Sequence, residues 1–212
     1  MPDIDLAALR REYTRAGLSE ADLAPDWLTQ LRRWLADAVA AGLDEPTAMT
    51  LATATPDGRP SARTVLLKGL DDGFVFYTNA RSRKGRELAA NPRAAVVLLW
   101  RDLERQVTAT GTVAPVSAEE SDAYFATRPR GAQLGALASE QSVVIPDRRW
   151  LEERVAELAA RYPDDVPRPD HWGGFRLRPD EVEFWQGRPD RLHDRLRYRR
   201  DGDRWVVERL SP

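Results

Sequence analysis

The sequence predicts a mainly β fold, an antiparallel barrel with peripheral helices. Three observations lead there. Short β-rich apolar segments follow one another along the chain. Compact turn signals separate several of them: Pro56-Asp57-Gly58, Asp71-Asp72-Gly73 and Asp201-Gly202. Helical segments stand between only some of the strands, so the alternating βαβαβ rhythm of a parallel sheet is missing.

In chain order, residues 3–16 read as a short helix and 26–41 as a clearer one. In the second, Trp27, Leu28, Leu31, Trp34, Leu35, Ala38 and Val39 share a helical stripe, and Gly42 stops it. Strands are predicted at Thr47–Ala54, Ala62–Leu67 and Phe74–Thr78. A helix follows at Ser82–Ala90, ended by Asn91-Pro92. Strands four and five are Ala94–Trp100 and Arg105–Val116. The run Val96-Val97-Leu98-Leu99-Trp100 predicts a strand buried on both faces. Ser117 opens a helix with Glu120 three residues on, the pattern of a capping box. Asp147 caps another helix through Tyr162, and Pro163–Pro169 is a loop. Four short strands close the chain, around Phe175, Phe184, Leu196 and Val206. No repeat or domain boundary stands out, and residues 1–212 are expected to form a single domain.

Composition excludes several functions. The 212 residues contain no cysteine, which removes disulfides, thiolate nucleophiles and cysteine-based zinc sites. With only two histidines, His171 and His193, a histidine-rich metal centre is not expected. The net charge of −2 has both signs spread along the chain, which argues against nucleic acid as a partner. No apolar run approaches a membrane span, and the acidic start Met1-Pro2-Asp3 lacks the features of a signal peptide. A cytoplasmic protein is expected. Of 32 basic residues only Lys68 and Lys84 are lysines. A chain that favours arginine so strongly keeps lysine where a compact ammonium matters.

G-x-G-x-x-G, Walker, G-x-S-x-G and H-E-x-x-H motifs are all absent, so difficult chemistry is expected to reside in a bound cofactor. In Arg63-Thr64-Val65-Leu66-Leu67-Lys68, strand alternation sends Arg63 and Lys68 to opposite faces, where they can reach two different anions. Taken alone, the same pattern suits an edge strand with charged gatekeepers. Phe76-Tyr77-Thr78-Asn79 followed by Ser82-Arg83-Lys84 places hydroxyls and paired cations at a strand end and helix start, as in a phosphate cradle; taken alone, it also suits a helix start with solvated charges.

These segments resemble the FMN-binding stretches of the pyridoxamine 5'-phosphate oxidase family: R-x-V-L-L-K, F-Y-T-N and S-R-K, in this order. The resemblance continues through Leu103-Glu104-Arg105-Gln106-Val107, Tyr124-Phe125 with Arg128-Pro129-Arg130, Gln141-Ser142, and Trp172-Gly173-Gly174-Phe175-Arg176. It ends with Phe184-Trp185-Gln186-Gly187, Arg191-Leu192-His193-Asp194-Arg195 and Arg209-Leu210-Ser211-Pro212. Near the start, Leu9-Arg10-Arg11-Glu12-Tyr13 matches too, so nearly the whole chain is covered.

The resemblance implies an FMN-binding split β-barrel, antiparallel and Greek-key-like, working as a homodimer with active sites at the interface. It implies that FMN is held by Arg63, Thr64, Val65, Leu66, Leu67, Lys68, Tyr77, Thr78, Arg83, Lys84, Gln106, Gln141, Ser142, Trp185 and Arg195. The substrate residues it implies are Arg10, Tyr13, Lys68, Tyr124, Arg128, Arg191 and His193, with Arg191 and His193 nearest the reacting carbon. Residues 1–20 would include a mobile flap over the site. The implied reaction oxidises pyridoxamine or pyridoxine 5'-phosphate to pyridoxal 5'-phosphate, reduces O2 to H2O2, and needs no metal. Arg191 and His193, at i and i+2, are expected on one strand face, with Asp194 opposite as a salt-bridge partner. Either Arg195 or Arg63 suits the charge of reduced flavin. One departure stands at Ala132, where the family usually has a serine for the substrate phosphate. It keeps open a related flavin oxidase of the phenazine-pathway type. Tyr124, Arg128 and R-L-H-D-R weigh against that alternative. A non-enzymatic flavin- or haem-binding module is the other alternative, with His171 and His193 the only candidate axial ligands.

Overall fold

The computed structural model describes residues 5, 6, 9, 12–15 and 17–212. The elements are α1 (Trp27–Ala40), β1 (Ala48–Ala54), β2 (Pro60–Leu66), β3 (Gly69–Leu70), β4 (Phe74–Asn79), α2 (Arg83–Ala90), β5 (Arg93–Trp100), β6 (Arg105–Pro115), α3 (Ala118–Ala126), α4 (Arg130–Ala138), α5 (Arg148–Arg161), β7 (Trp172–Gln186), β8 (Asp194–Asp201) and β9 (Arg204–Arg209). The hydrogen-bonded strand order is β2-β1-β5-β6-β7-β4-β3, with β8 on β7 and β9 on β8. The predicted class, mainly antiparallel β with helices, is the class observed. Among the described residues no helix is long and apolar enough to cross a membrane.

The chain divides into two compact units. The first comprises Met1–Pro46, Val97–Ala109 and Asp180–Pro212; the second comprises Thr47–Val96 and Thr110–Pro179.

In the first unit, Asp26 caps α1 by accepting the Thr29 amide at 2.8 Å. Of the predicted stripe, Trp27, Leu31, Trp34 and Ala38 turn inward and Leu28 and Leu35 are half-buried, but Val39 is exposed. Trp34 meets Phe184 edge-on at 5.2 Å, and the Arg105 guanidinium lies 4.5 Å over its ring. Phe184 pairs with Leu196 across β7 and β8, and Tyr198 donates its hydroxyl to the Ala24 carbonyl at 2.6 Å.

In the second unit, β1 and β2 form a hairpin from Ala48↔Leu66 to Ala54↔Pro60. Phe76 faces Phe175 across β4 and β7, their rings stacked at 5.8 Å. A satellite core of Phe125, Leu134, Val166 and Trp172 gathers α3, α4 and the segment before β7. Burying such side chains is worth about 1.5–3 kcal/mol each.

Several expectations are corrected. Among the described residues, 3–16 hold no helix: the Thr14 and Arg15 amides bond to the Glu104 carboxylate instead of to carbonyls four residues back. A lone helix this short is marginal without tertiary packing. Residues 130–138 form a helix that was not expected. The strands expected around Phe175 and Phe184 are one strand of 15 residues, β7, which runs through Pro179. Strand β5 is not buried on both faces, since Leu99 is 55% exposed. Leu99 lines a cavity beside Trp185, and an apolar side chain there suits a ligand or partner rather than the core.

Candidate functional site

In the second unit a cavity of about 460 Å³ opens beside the ends of β2 and β4. Strand β4 delivers Tyr77, Thr78 and Asn79 to it. The chain then turns, and Ser82 caps α2 through the Gly85 amide at 3.3 Å. That start aims Lys84 into the cavity. Lys84, 8% exposed, donates from its ammonium to Gln141 Oε1 at 2.7 Å and Thr78 Oγ1 at 3.2 Å. Burial, with Arg63 adding, pushes the Lys84 pKa below its ordinary value.

Lys68, just past the end of β2, is exposed and lines the same cavity, as do Thr64, Val65 and Leu66. From α3 and the turn after it come Tyr124 and Arg128. Tyr77 and Tyr124 stack at 3.9 Å, and both lie nearly parallel to Trp172. Burial raises both tyrosine pKa values, so at neutral pH each hydroxyl is a donor. Arg128 lies 4.6 Å over Trp172, and its Nη1 is buried with no hydrogen-bond partner. The cavity thus gathers three cations, both lysines of the chain and Arg128, with no carboxylate among its described lining residues.

Other sequence-predicted residues stand elsewhere in this unit. Arg63 donates to the Leu51 carbonyl at 3.1 Å, to Thr53 at 2.6 Å, to Ser61, and to Glu87 at 3.4 Å. Arg83 reaches Glu87 at 2.8 Å. Burial alone would raise the Glu87 carboxyl, but hydrogen bonds from Ser61 and Thr53 and the Arg83 contact bring it down to about 2. Arg63 and Arg83 are therefore ion-paired and do not line the cavity. Leu67 is a core residue. Ser142, in left-handed backbone at φ +73°, accepts the Arg83 amide at 3.1 Å. Gln141 lines the cavity.

The remaining predicted residues belong to the first unit. Gln106, Trp185 and Tyr13 line a cavity of about 410 Å³ there. Tyr13, Trp185, Arg191 and His193 line another, of about 460 Å³. Tyr13 meets both the Trp185 and His193 rings edge-on at 5.6 Å. Arg191 and His193 are not on a strand as expected. Arg191 ends a 3₁₀ turn with φ +61°, and β8 begins only at Asp194. Pro189 and the left-handed Asp190 and Arg191 prevent extension. The His193 Nδ1 accepts the Arg188 amide at 3.1 Å, which leaves the proton of the neutral ring on Nε2. Burial, with Arg191 adding, lowers the His193 pKa. Arg195 makes a bidentate pair with Glu183 at 2.7 and 3.0 Å, and Asp194 pairs with Arg209 at 2.7 Å. Arg10 lies outside the described residues.

Sequence reasoning did not single out Trp172, the floor of the aromatic stack, or Asn79, which donates to the Ser139 carbonyl at 3.2 Å. Both sit inside quoted motifs, and their place at strand ends was the available signal. The α4 face adds Ala132, Gly135 and Ala136 to the lining; Ala132 was singled out through its motif, but the other two were not, because their helix was not expected.

Residues 35–162 match a family model described as pyridoxamine 5'-phosphate oxidase, and residues 172–212 one described as the pyridoxine 5'-phosphate oxidase C-terminal dimerisation region. The chain is 62% identical over 210 residues to a pyridoxine/pyridoxamine 5'-phosphate oxidase of Rubrobacter xylanophilus, covering 98% of this chain and 97% of that one. A relative of the same name from Thermosynechococcus vestitus is 59% identical over 208 residues, covering 98% and 99%. Among solved structures, PhzG from Burkholderia lata 383, in complex with tetrahydrophenazine-1-carboxylic acid, superposes with a TM-score of 0.87 at 41% identity, covering 91% of this chain and 95% of that one. An FMN-binding protein from Nostoc punctiforme, described as related to pyridoxamine 5'-phosphate oxidase, shares the fold. Its TM-score is 0.69 at 23% identity, covering 90% and 100%.

Proposed function

The chain belongs to the pyridoxamine 5'-phosphate oxidase family, and on that premise we propose that it oxidises pyridoxamine and pyridoxine 5'-phosphate to pyridoxal 5'-phosphate, with FMN as cofactor and O2 as acceptor, releasing H2O2. The observation that carries this reading is the cavity lined by Lys68, Lys84 and Arg128, with no carboxylate among its described lining residues. Cofactor and substrate each bear a phosphate, and converging cations with hydroxyl donors suit both.

The residues fit FMN. Lys84, Thr78 and Gln141 form a bonded set at one part of the lining, the chemistry a phosphate dianion needs. When bound, FMN supplies the two-electron acceptor that O2 re-oxidises. Lys68, Tyr124 and Arg128 are assigned to the substrate phosphate, and the buried Arg128 Nη1 gains there the acceptor it lacks. His193, neutral and protonated on Nε2, and Arg191 orient the substrate amine or hydroxyl. No carboxylate dyad is required. The protein is proposed to act as a homodimer, in keeping with the dimerisation region matched at 172–212.

A second reading is favoured by one observation: Ala132 puts a methyl, not a hydroxyl, on the cavity wall. It is oxidation of a carboxylated phenazine precursor, as the PhzG likeness suggests. The test gives the FMN-loaded protein pyridoxamine 5'-phosphate or tetrahydrophenazine-1-carboxylic acid, and follows pyridoxal phosphate, phenazine and peroxide. Pyridoxal phosphate and peroxide in equal amounts are expected. FMN binding with turnover of only the phenazine precursor overturns the first reading.

A further inference from the structure

The geometry points to Glu104 as the positioning residue that seats Tyr13 in the cavity shared with Trp185 and His193. This rests on the reading of Tyr13 as a substrate-contacting residue. Glu104 is 2% exposed and adopts left-handed backbone at φ +55°. Both of its ends are used. The carboxylate Oε2 accepts the Thr14 amide at 2.9 Å and the Arg15 amide at 3.0 Å. Its carbonyl accepts the Gly187 amide at 2.7 Å and Gln186 Nε2 at 3.1 Å. One residue therefore ties the segment carrying Tyr13 to the segment that follows Trp185.

Two features make this arrangement specific to Tyr13. A buried carboxylate that accepts two successive backbone amides fixes the direction in which the preceding residue leaves the chain. The preceding residue is Tyr13. Its ring then lies against Gly187 so closely that a Cβ there would come within 2.7 Å of it. Glutamate 104 holds the segment down, and the absent side chain at 187 makes room for the ring. Beside it, Arg105 turns instead to Gln186, donating to Oε1 at 3.0 Å, while the left-handed Glu104 sends its carboxylate to the Thr14 and Arg15 amides.

Three variants test this: Glu104→Ala, Glu104→Gln and Gly187→Ala. Limited trypsinolysis read by mass spectrometry reports cleavage after Arg15, which needs no substrate. FMN affinity is read by flavin fluorescence, and KM and kcat with pyridoxamine 5'-phosphate. Glu104→Ala is expected to speed cleavage after Arg15 about tenfold and to raise KM about tenfold, with FMN affinity held, since two charge-assisted bonds are lost. Glu104→Gln keeps an acceptor oxygen and should fall between. Gly187→Ala should raise KM to a similar degree while Arg15 stays protected, and the double variant Glu104→Ala/Gly187→Ala should raise KM no further than either alone. Should Glu104→Ala not fold, the Gln and Gly187 variants carry the same comparisons. Unchanged cleavage after Arg15, unchanged KM, additive KM effects, or loss of FMN in step with the rise in KM overturns the proposal. If the unaltered protein does not oxidise pyridoxamine 5'-phosphate, the functional reading fails instead, and cleavage after Arg15 still decides whether Glu104 holds the segment.

Discussion

Arg128 combines a buried, unpartnered Nη1 with a guanidinium stacked over Trp172. A desolvated donor without an acceptor is costly, so the side chain is held ready for an anion at the expense of stability. Arg128→Ala is therefore expected to leave the ligand-free melting temperature unchanged or slightly raised. It should raise KM for pyridoxamine 5'-phosphate by roughly 10- to 150-fold, the loss of about 1.5–3 kcal/mol, with FMN binding kept. Loss of FMN at constant KM would place Arg128 at the cofactor instead. At Ala132 the wall carries a methyl, and Ala132→Ser should lower that KM by about 0.5–1.5 kcal/mol while leaving KM for unphosphorylated pyridoxamine alone. An equal gain with both substrates shows that residue 132 does not meet the phosphate. His193 titrates below its ordinary 6.5 because burial and Arg191 disfavour the cation. The folded-state value is the lower one, so this stabilisation is present above the unfolded value and is lost as pH falls through the folded one. With only two histidines, ring-proton NMR with a His193→Gln control resolves the titration, and a midpoint above 6.5 contradicts the geometry.

Helix α2 shows how an element places chemistry. Ser82 begins it, and Gly85 lies so close to the Ala80 carbonyl that a Cβ there would overlap it. The tight start is what returns Lys84 toward Thr78 and Gln141. Gly85→Ala should cost about 1–3 kcal/mol of stability and weaken FMN binding about tenfold, because the helix start must shift. Gly131→Ala in α4 meets nothing within 4 Å and should be neutral or stabilising by up to about 1 kcal/mol. Equal melting and flavin affinity in the two variants would contradict this account. The same element shows what was legible locally. Ser82 and the Asn91-Pro92 stop both lie in the sequence, and α2 was placed from them. Helix α4 lacked such marks: its N-cap is Pro129, with no side-chain cap bond, and two glycines interrupt its apolar face.

At the scale of the whole molecule, the second family match is a dimerisation region, and the flavin residues implied by the resemblance, from Arg63 to Arg195, are proposed to come from two subunits. On that reading binding and association are linked. Sedimentation across an FMN titration should show a dimer that strengthens as flavin binds. At flavin concentrations near 100 times Kd the gain is about 2.7 kcal/mol. A monomer that keeps FMN tightly bound would refute the linkage, and release of FAD on denaturation would refute the cofactor. The antiparallel β class was determined by the sequence alone, because strand alternation, turn residues and helix caps act between near neighbours. Of the residues the ordered motifs named, Thr64, Val65, Leu66, Lys68, Tyr77, Thr78, Lys84 and Gln141 line one cavity. Tertiary structure alone decided which cations are available. Glu87 neutralises Arg63 and Arg83, and Glu183 holds Arg195, while Lys68, Lys84 and Arg128 share a cavity with no carboxylate among its described lining. An ion pair depends on where two distant segments meet in space, and no local pattern records that.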